Sequence, residues 1–186
     1  MVPIIRKLGI TFTLALSFLV SGCTDTETPL SAVPGGPSLS TSDMATLARF
    51  REKPQVTIAW AKKWIGPEGG RLDFMGFAID VPAGAVDKVT MFSIRLPVDP
   101  QGAEHVVAEF APHGKLFAVP VAIELPFSGT SIDGSTQPTI VWWNETWVDM
   151  GATVTADGQR LRTLTEHFST YGTTELRGGG IVTSGG

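Results

Sequence analysis

Along the middle of the chain apolar and polar positions alternate with a period of two. Val56, Ile58 and Trp60 share one parity. Phe77, Ile79 and Val81 form a second stripe, with Ala78 and Asp80 between them. Phe92, Ile94, Leu96 and Val98 form a third, alternating with Met91, Ser93, Arg95 and Pro97. The longest runs through Phe117, Val119, Val121, Ile123, Leu125 and Phe127, opposed by Ala118, Pro120, Ala122, Glu124 and Pro126. Successive side chains of a strand point to opposite faces, so each stripe predicts a strand with one buried face. Pro97, Pro120 and Pro126 fall on the outward parity, which places them at strand ends or edges. Between the stripes lie turn signals: Pro67-Glu68-Gly69-Gly70, Pro82-Ala83-Gly84, Asp99-Pro100-Gln101-Gly102, Ser128-Gly129, Asp133-Gly134 and Asp157-Gly158. Asp157-Gly158 suits the positive-φ positions of a type I′ hairpin. Amphipathic helices of about 10–15 residues between strands are missing, which favours an antiparallel sandwich over a βαβ arrangement. The pattern predicts an all-β fold, one antiparallel β-sandwich over residues 55–175. Ahead of it, Met44, Leu47 and Phe50 recur at helical spacing, predicting a short helix over 44–53 capped by Ser42 or Asp43 and ended by Pro54.

The first 22 residues read as an export signal. Arg6 and Lys7 supply positive charge, and Leu8 to Val20 is an uncharged, mostly apolar run. That run is shorter than the about 20 residues a transmembrane helix needs. It ends in Val20-Ser21-Gly22-Cys23, which resembles the lipobox of bacterial lipoprotein signals. Small residues there let the backbone enter a peptidase, and the Cys23 thiol is the acceptor for lipid. Acylation anchors a protein to a bilayer without spanning it. Residues 23–54 then form a Ser/Thr/Pro/Gly-rich tether from the lipidated cysteine, and residues 176–186 a Gly-rich tail expected to be disordered.

Composition narrows the functional classes. The 21 glycines and 13 prolines exceed their usual joint share of about 12% and fit a turn-rich chain. Cys23 is the only cysteine, so the domain has no intramolecular disulfide. The formal charge is −4, and losing Arg6 and Lys7 with the signal makes it more negative. Such a chain is not expected to bind nucleic acid or anionic lipid through its protein surface. The expected location is therefore an outer membrane or cell surface, reached by export and held through the acyl chains of Cys23.

The punctuation between the strands resembles a known family. Gly69-Gly70-Arg71-Leu72, Ile79-Asp80-Val81-Pro82-Ala83-Gly84-Ala85, Phe110-Ala111-Pro112-His113-Gly114 with Phe117 and Pro120-Val121, and His167-Phe168-Ser169 with Tyr171 follow in the order of the ZU-5 domain. This β-sandwich module occurs in ankyrins, netrin receptors and zonula-occludens proteins. The resemblance spans about residues 64–172. It implies a non-enzymatic interaction module, which in animal relatives contacts partner proteins, and it transfers no partner; the location makes an unidentified envelope or extracellular protein the expected one. Some relatives cleave themselves at a His-Phe-Ser motif. By that resemblance Ser169 Oγ would attack the Phe168 carbonyl with His167 as base, while the structural alternative makes Phe168 a core residue.

Two further sets of residues carry chemistry. In Ile140-Val141-Trp142-Trp143-Asn144 the adjacent indoles must face opposite sides of a strand, and Trp147 returns on the next one. With Trp142 or Trp143 exposed together with Trp147, the domain would offer a stacking platform for polysaccharide or an apolar anchor. The structural alternative covers one of them with the 44–54 segment or with Trp60 and Trp64. His105, His113 and His167 lack metal-site spacing, so no metal and no cofactor is expected. The acidic pairs Asp80 with Asp87 and Glu104 with Glu109 read as solvated surface rather than as a catalytic dyad. The sequence thus points to a binding module, with self-cleavage and glycan binding as the alternatives.

Overall fold

A computed structural model describes residues 47–52, 54, 60–97 and 104–176. All of them belong to one compact unit, residues 35–186. The export signal, Cys23, most of the tether, the tail and the Val56–Ile58 part of the first stripe lie outside the described residues. Among the described residues eleven strands follow in order: β1 (Trp60–Ile65), β2 (Gly70–Phe74), β3 (Phe77–Val81), β4 (Thr90–Arg95), β5 (Val107–Ala111), β6 (Val121–Pro126), β7 (Pro138–Asn144), β8 (Thr146–Asp149), β9 (Thr153–Val154), β10 (Arg160–Thr165) and β11 (Thr170–Glu175). They make a six-stranded sheet, β1-β4-β5-β11-β7-β8, and a five-stranded sheet, β2-β3-β6-β10-β9. Every strand pair is antiparallel. The fold is the all-β antiparallel sandwich that the alternation predicts.

The inner faces follow the stripes. Phe77, Ile79, Val81, Val121, Ile123, Leu125 and Leu161 come from one sheet, and Phe92, Ile94, Ala108, Phe110, Ile140 and Tyr171 from the other. Aromatic rings fill one part of this core. Phe168 lies 4.8 Å from Phe117 and 5.9 Å from both Phe92 and Phe110, mostly edge-on or tilted. Such edge-to-face contacts add to the gain from burying the rings.

The structure departs from the pattern at four places. First, the long stripe is a strand only from Val121 to Pro126; Phe117 is buried from a loop and Val119 is exposed. Second, both parities of β6 are buried, including Glu124, because the strand lies at the centre of its sheet. Third, Trp60, on the supposedly buried parity of the first stripe, is exposed.

The fourth departure concerns residues 47–50, which are not helical. Arg49 bridges His105 and Phe50 bridges Thr130. Ala48 N–H donates to the Thr173 carbonyl, and Val106 N–H donates to that of Ala48. The segment is an extended strap at the end of the six-stranded sheet. Ala48 and Phe50 pack on the main core, while Leu47 joins Val107, Val141 and Trp147 on the sheet's outer side. Long-range partners outweigh the helical spacing of three apolar residues, since a single helical turn gains little without packing.

Two glycines are required by this packing. A Cβ on Gly172 would lie 2.7 Å from Leu47 Cδ2, so the missing side chain makes room for the strap. Gly69 has φ +82°, and a Cβ there would lie 2.5 Å from the Val81 carbonyl oxygen. The Gly69-Gly70 pair therefore sets the tight entry into β2.

Candidate functional site

Residues 166–169 form the corner between β10 and β11, the place where the His-Phe-Ser motif falls. Strand β5 and the loop after it grip this corner. Phe117 N–H donates to the Glu166 carbonyl and Phe110 N–H to that of Ser169, while Phe168 bridges His113. Phe168 points into the core and is 4% exposed. On the other side, the Tyr171 hydroxyl and the Thr165 hydroxyl both donate to the His167 carbonyl, each at 2.7 Å. This is the arrangement of a tyrosine corner, in which a phenol near the start of a strand ties down backbone a few residues upstream.

The imidazole of His167 faces the same cluster. Its Nδ1 lies 3.3 Å from Thr165 Oγ1 and 3.5 Å from the Tyr171 oxygen, and the ring meets Trp142 edge-on at 4.7 Å. Ser169 Oγ instead donates to the Trp143 carbonyl at 3.1 Å. The hydrogen bonds of the two residues thus lead in different directions. The corner places Phe168 where the structural alternative expects it, although just before the last strand rather than inside it.

Burial pushes the Tyr171 phenol up to about 12, from an ordinary value of 10. A raised folded value stabilises the fold fully below the unfolded value, and that contribution fades as pH rises through the folded one. Stability is therefore expected to fall between about pH 10 and 12. Tyr171→Phe should cost about 1 kcal/mol at neutral pH, because Thr165 still serves the His167 carbonyl. The variant should also lose Tyr171's share of this alkaline decline, which urea titrations at pH 8 and 11 would show. An unchanged alkaline limb would contradict the assignment.

Next to the corner is an open groove of about 430 Å³. Leu116, Pro120, Met150 and Leu164 supply its apolar lining, with Thr165, Glu166 and His167 completing it. Leu116 and Leu164 are largely exposed there.

The tryptophans divide between the two edges of the six-stranded sheet. Trp142 faces inward against the core, and Trp143 faces outward, as adjacent strand residues must. Trp143 meets Trp147 at 5.2 Å on the paired strand β8, and both are half-buried. Leu47 of the strap packs into the cluster that Trp147 borders, so this edge is partly covered. Trp60 and Trp64 do not cover it; they stand on β1, at the far edge, 48% and 65% exposed. These are the indoles that the sequence reading passed over as candidates. The signal was present in Trp60-Ala61-Lys62-Lys63-Trp64-Ile65, where both indoles share their parity with a lysine.

The outer face of the five-stranded sheet holds a charged cluster that the stripes did not announce. Glu124 receives Arg71 at 2.6 Å, Arg162 at 2.6 Å and Arg160 at 3.0 Å. Asp73 binds Arg71 and Arg160, and Asp80 binds Arg162. Hydrogen bonds from Arg71, then Arg162 and Arg160, hold the Glu124 carboxyl at about 2 against the burial that opposes them. The other acids named from sequence also have partners: Asp87 has Lys115, Glu104 has Arg49, and Glu109 has Arg95 and His113. Among the described residues no group of three potential ligands could hold a metal ion.

The fold defines an antiparallel β-sandwich with exposed aromatic residues at one sheet edge. No family model matches the chain, and no curated protein matches it either.

Proposed function

We propose that the protein is a membrane-anchored lipoprotein of a bacterial cell envelope, displaying a non-catalytic ZU-5-like interaction module. The observation that supports this reading is the exposed aromatic edge: Trp60 and Trp64 stand in solvent beside Met91, on a domain whose core is otherwise well covered. Clustered large apolar side chains at a surface mark contact sites more often than isolated ones do. The ordered ZU-5-like motifs fall at sandwich corners, including the Gly69-Gly70 turn and the His167–Ser169 corner. The anchor rests on Cys23 at the end of its export signal.

Fractionation of cells expressing the full chain tests the anchor. The native protein should enter the membrane fraction, and Cys23→Ser should move most of it to the soluble fraction. Intact mass on the same material tests self-processing. The expected species is one unbroken chain from Cys23 onward carrying lipid. Membrane association that survives Cys23→Ser would remove the anchor, and a chain ending at Phe168 would replace the structural role of the corner with autoproteolysis.

A further inference from the structure

Among the described residues strand β1 closes one end of its sheet, with β4 as its strand partner. Its other edge is a row of backbone groups about 20 Å long, from six residues at about 3.4 Å each. The side chains above that edge are ordered by the strand period. Trp60, Lys62 and Trp64 face outward together, and across from them on β4 stand Arg95, Ser93 and Met91. The Lys62 ammonium lies 4.7 Å from the Trp60 ring centre. Lys63, on the opposite parity, reaches over to the Arg71 carbonyl of β2 at 2.9 Å.

Charge sets this edge apart from the rest of the molecule. The two strands β1 and β4 carry Lys62, Lys63 and Arg95 and no carboxylate, within a chain of net charge −4. Lys62 makes no ion pair among the described residues; its contact is the indole. A second copy is a poor occupant of this edge. Antiparallel pairing centred on Lys62 or on Lys63 would set that lysine against its own copy, and like charges directly opposite are destabilising. Edge lysines are a common means of suppressing such self-pairing. A carboxylate in the same place reverses the sign.

We infer that β1 is a strand-addition edge for an extended acidic segment of a partner protein. The incoming strand adds to the six-stranded sheet through main-chain hydrogen bonds. It places a carboxylate opposite Lys62, with apolar side chains two residues to either side against Trp60 and Trp64. The inference gives the interaction module a partner chemistry and rests on that reading.

The test is a titration of the full chain, purified in detergent, with three synthetic peptides, read by tryptophan emission. The first is Thr-Val-Thr-Glu-Thr-Val-Thr with blocked ends; the second has Lys for Glu; the third is the first, N-methylated at its edge-facing amides. The Glu peptide should shift the emission and saturate, and the Lys peptide should bind at least about tenfold more weakly. The N-methylated peptide should lose binding, since face stacking alone does not need those amides. Lys62→Glu, an exposed change, should reverse the preference between the first two. Equal binding of the Glu and Lys peptides, or full binding of the N-methylated one, overturns the inference. So does an emission response to alginate with none to the Glu peptide, which would make the edge a glycan platform. The peptide arms use the native chain, so they decide even if Lys62→Glu does not fold. Failure of the titration removes strand addition and leaves the anchor standing, whereas failure of the Cys23→Ser fractionation removes the anchor alone.

Discussion

Phe168→Ala is expected to destabilise the domain by about 4 kcal/mol, within the range of about 3–5 kcal/mol for truncating a buried phenylalanine. The ring is almost fully buried and touches Phe92, Phe110 and Phe117. Those three come from β4, β5 and the loop after it, so they cannot collapse together into the space left behind. Loss of the ring costs its transfer free energy and adds a cavity. The backbone around it is held by the Phe117–Glu166 and Phe110–Ser169 hydrogen bonds, which further limits relaxation. Ser169→Ala should behave differently: it removes one hydrogen bond to the Trp143 carbonyl and costs about 1 kcal/mol. Urea denaturation of the two variants provides the comparison. Equal, small losses would show that Phe168 is not a core anchor, and would return the His-Phe-Ser corner to a chemical role.

The strands that alternate cleanly were the legible part of this protein. Phe77, Ile79 and Val81, like Phe92, Ile94 and Leu96, lie where period-two reasoning puts them, because each strand has one face on the core. Legibility failed where the decisive neighbour is distant in sequence. Leu47 and Phe50 have a spacing compatible with one helical turn, but the partners of their segment are Glu104, Gly129 and Thr173. Trp60 is apolar and in phase with Val56 and Ile58, yet a position at the sheet edge leaves it in water. Period alone does not say which strand ends the sheet. Of the indoles picked as candidates, Trp142 faces the core and Trp143 leans on Trp147, so the exposed pair had to come from the fold.

Glu124 shows the same limit in its energetics, and it carries the second large expectation. As an acid amid apolar residues it reads from sequence as a solvated outward position. The register instead places Arg162 of β10 directly across from it, with Arg160 two residues back on the same strand and Arg71 of β2, beyond β3, reaching the same carboxylate. Its side chain is 8% exposed, so it depends on those partners. The carboxyl sits at about 2 in the fold against an ordinary 4.5. A lowered folded value stabilises above the unfolded value, and that stabilisation is lost as pH falls from 4.5 through about 2. At about 1.4 kcal/mol per unit the shift corresponds to about 3 kcal/mol. The three arginine side chains are 27–37% exposed, and water around them reduces this to about 2 kcal/mol. Asp73, lowered chiefly by Arg71, acts with the same sign. Glu124→Gln should therefore cost about 2 kcal/mol at pH 7, where the neutral amide leaves three guanidiniums short of a charge. The difference between native and variant should shrink steadily below pH 4.5 and nearly vanish by pH 2, followed by urea unfolding across that range. A gap that stays constant with pH would mean that Glu124 stabilises by packing alone, and that the arginines on this face are balanced by Asp73 and Asp80 without it.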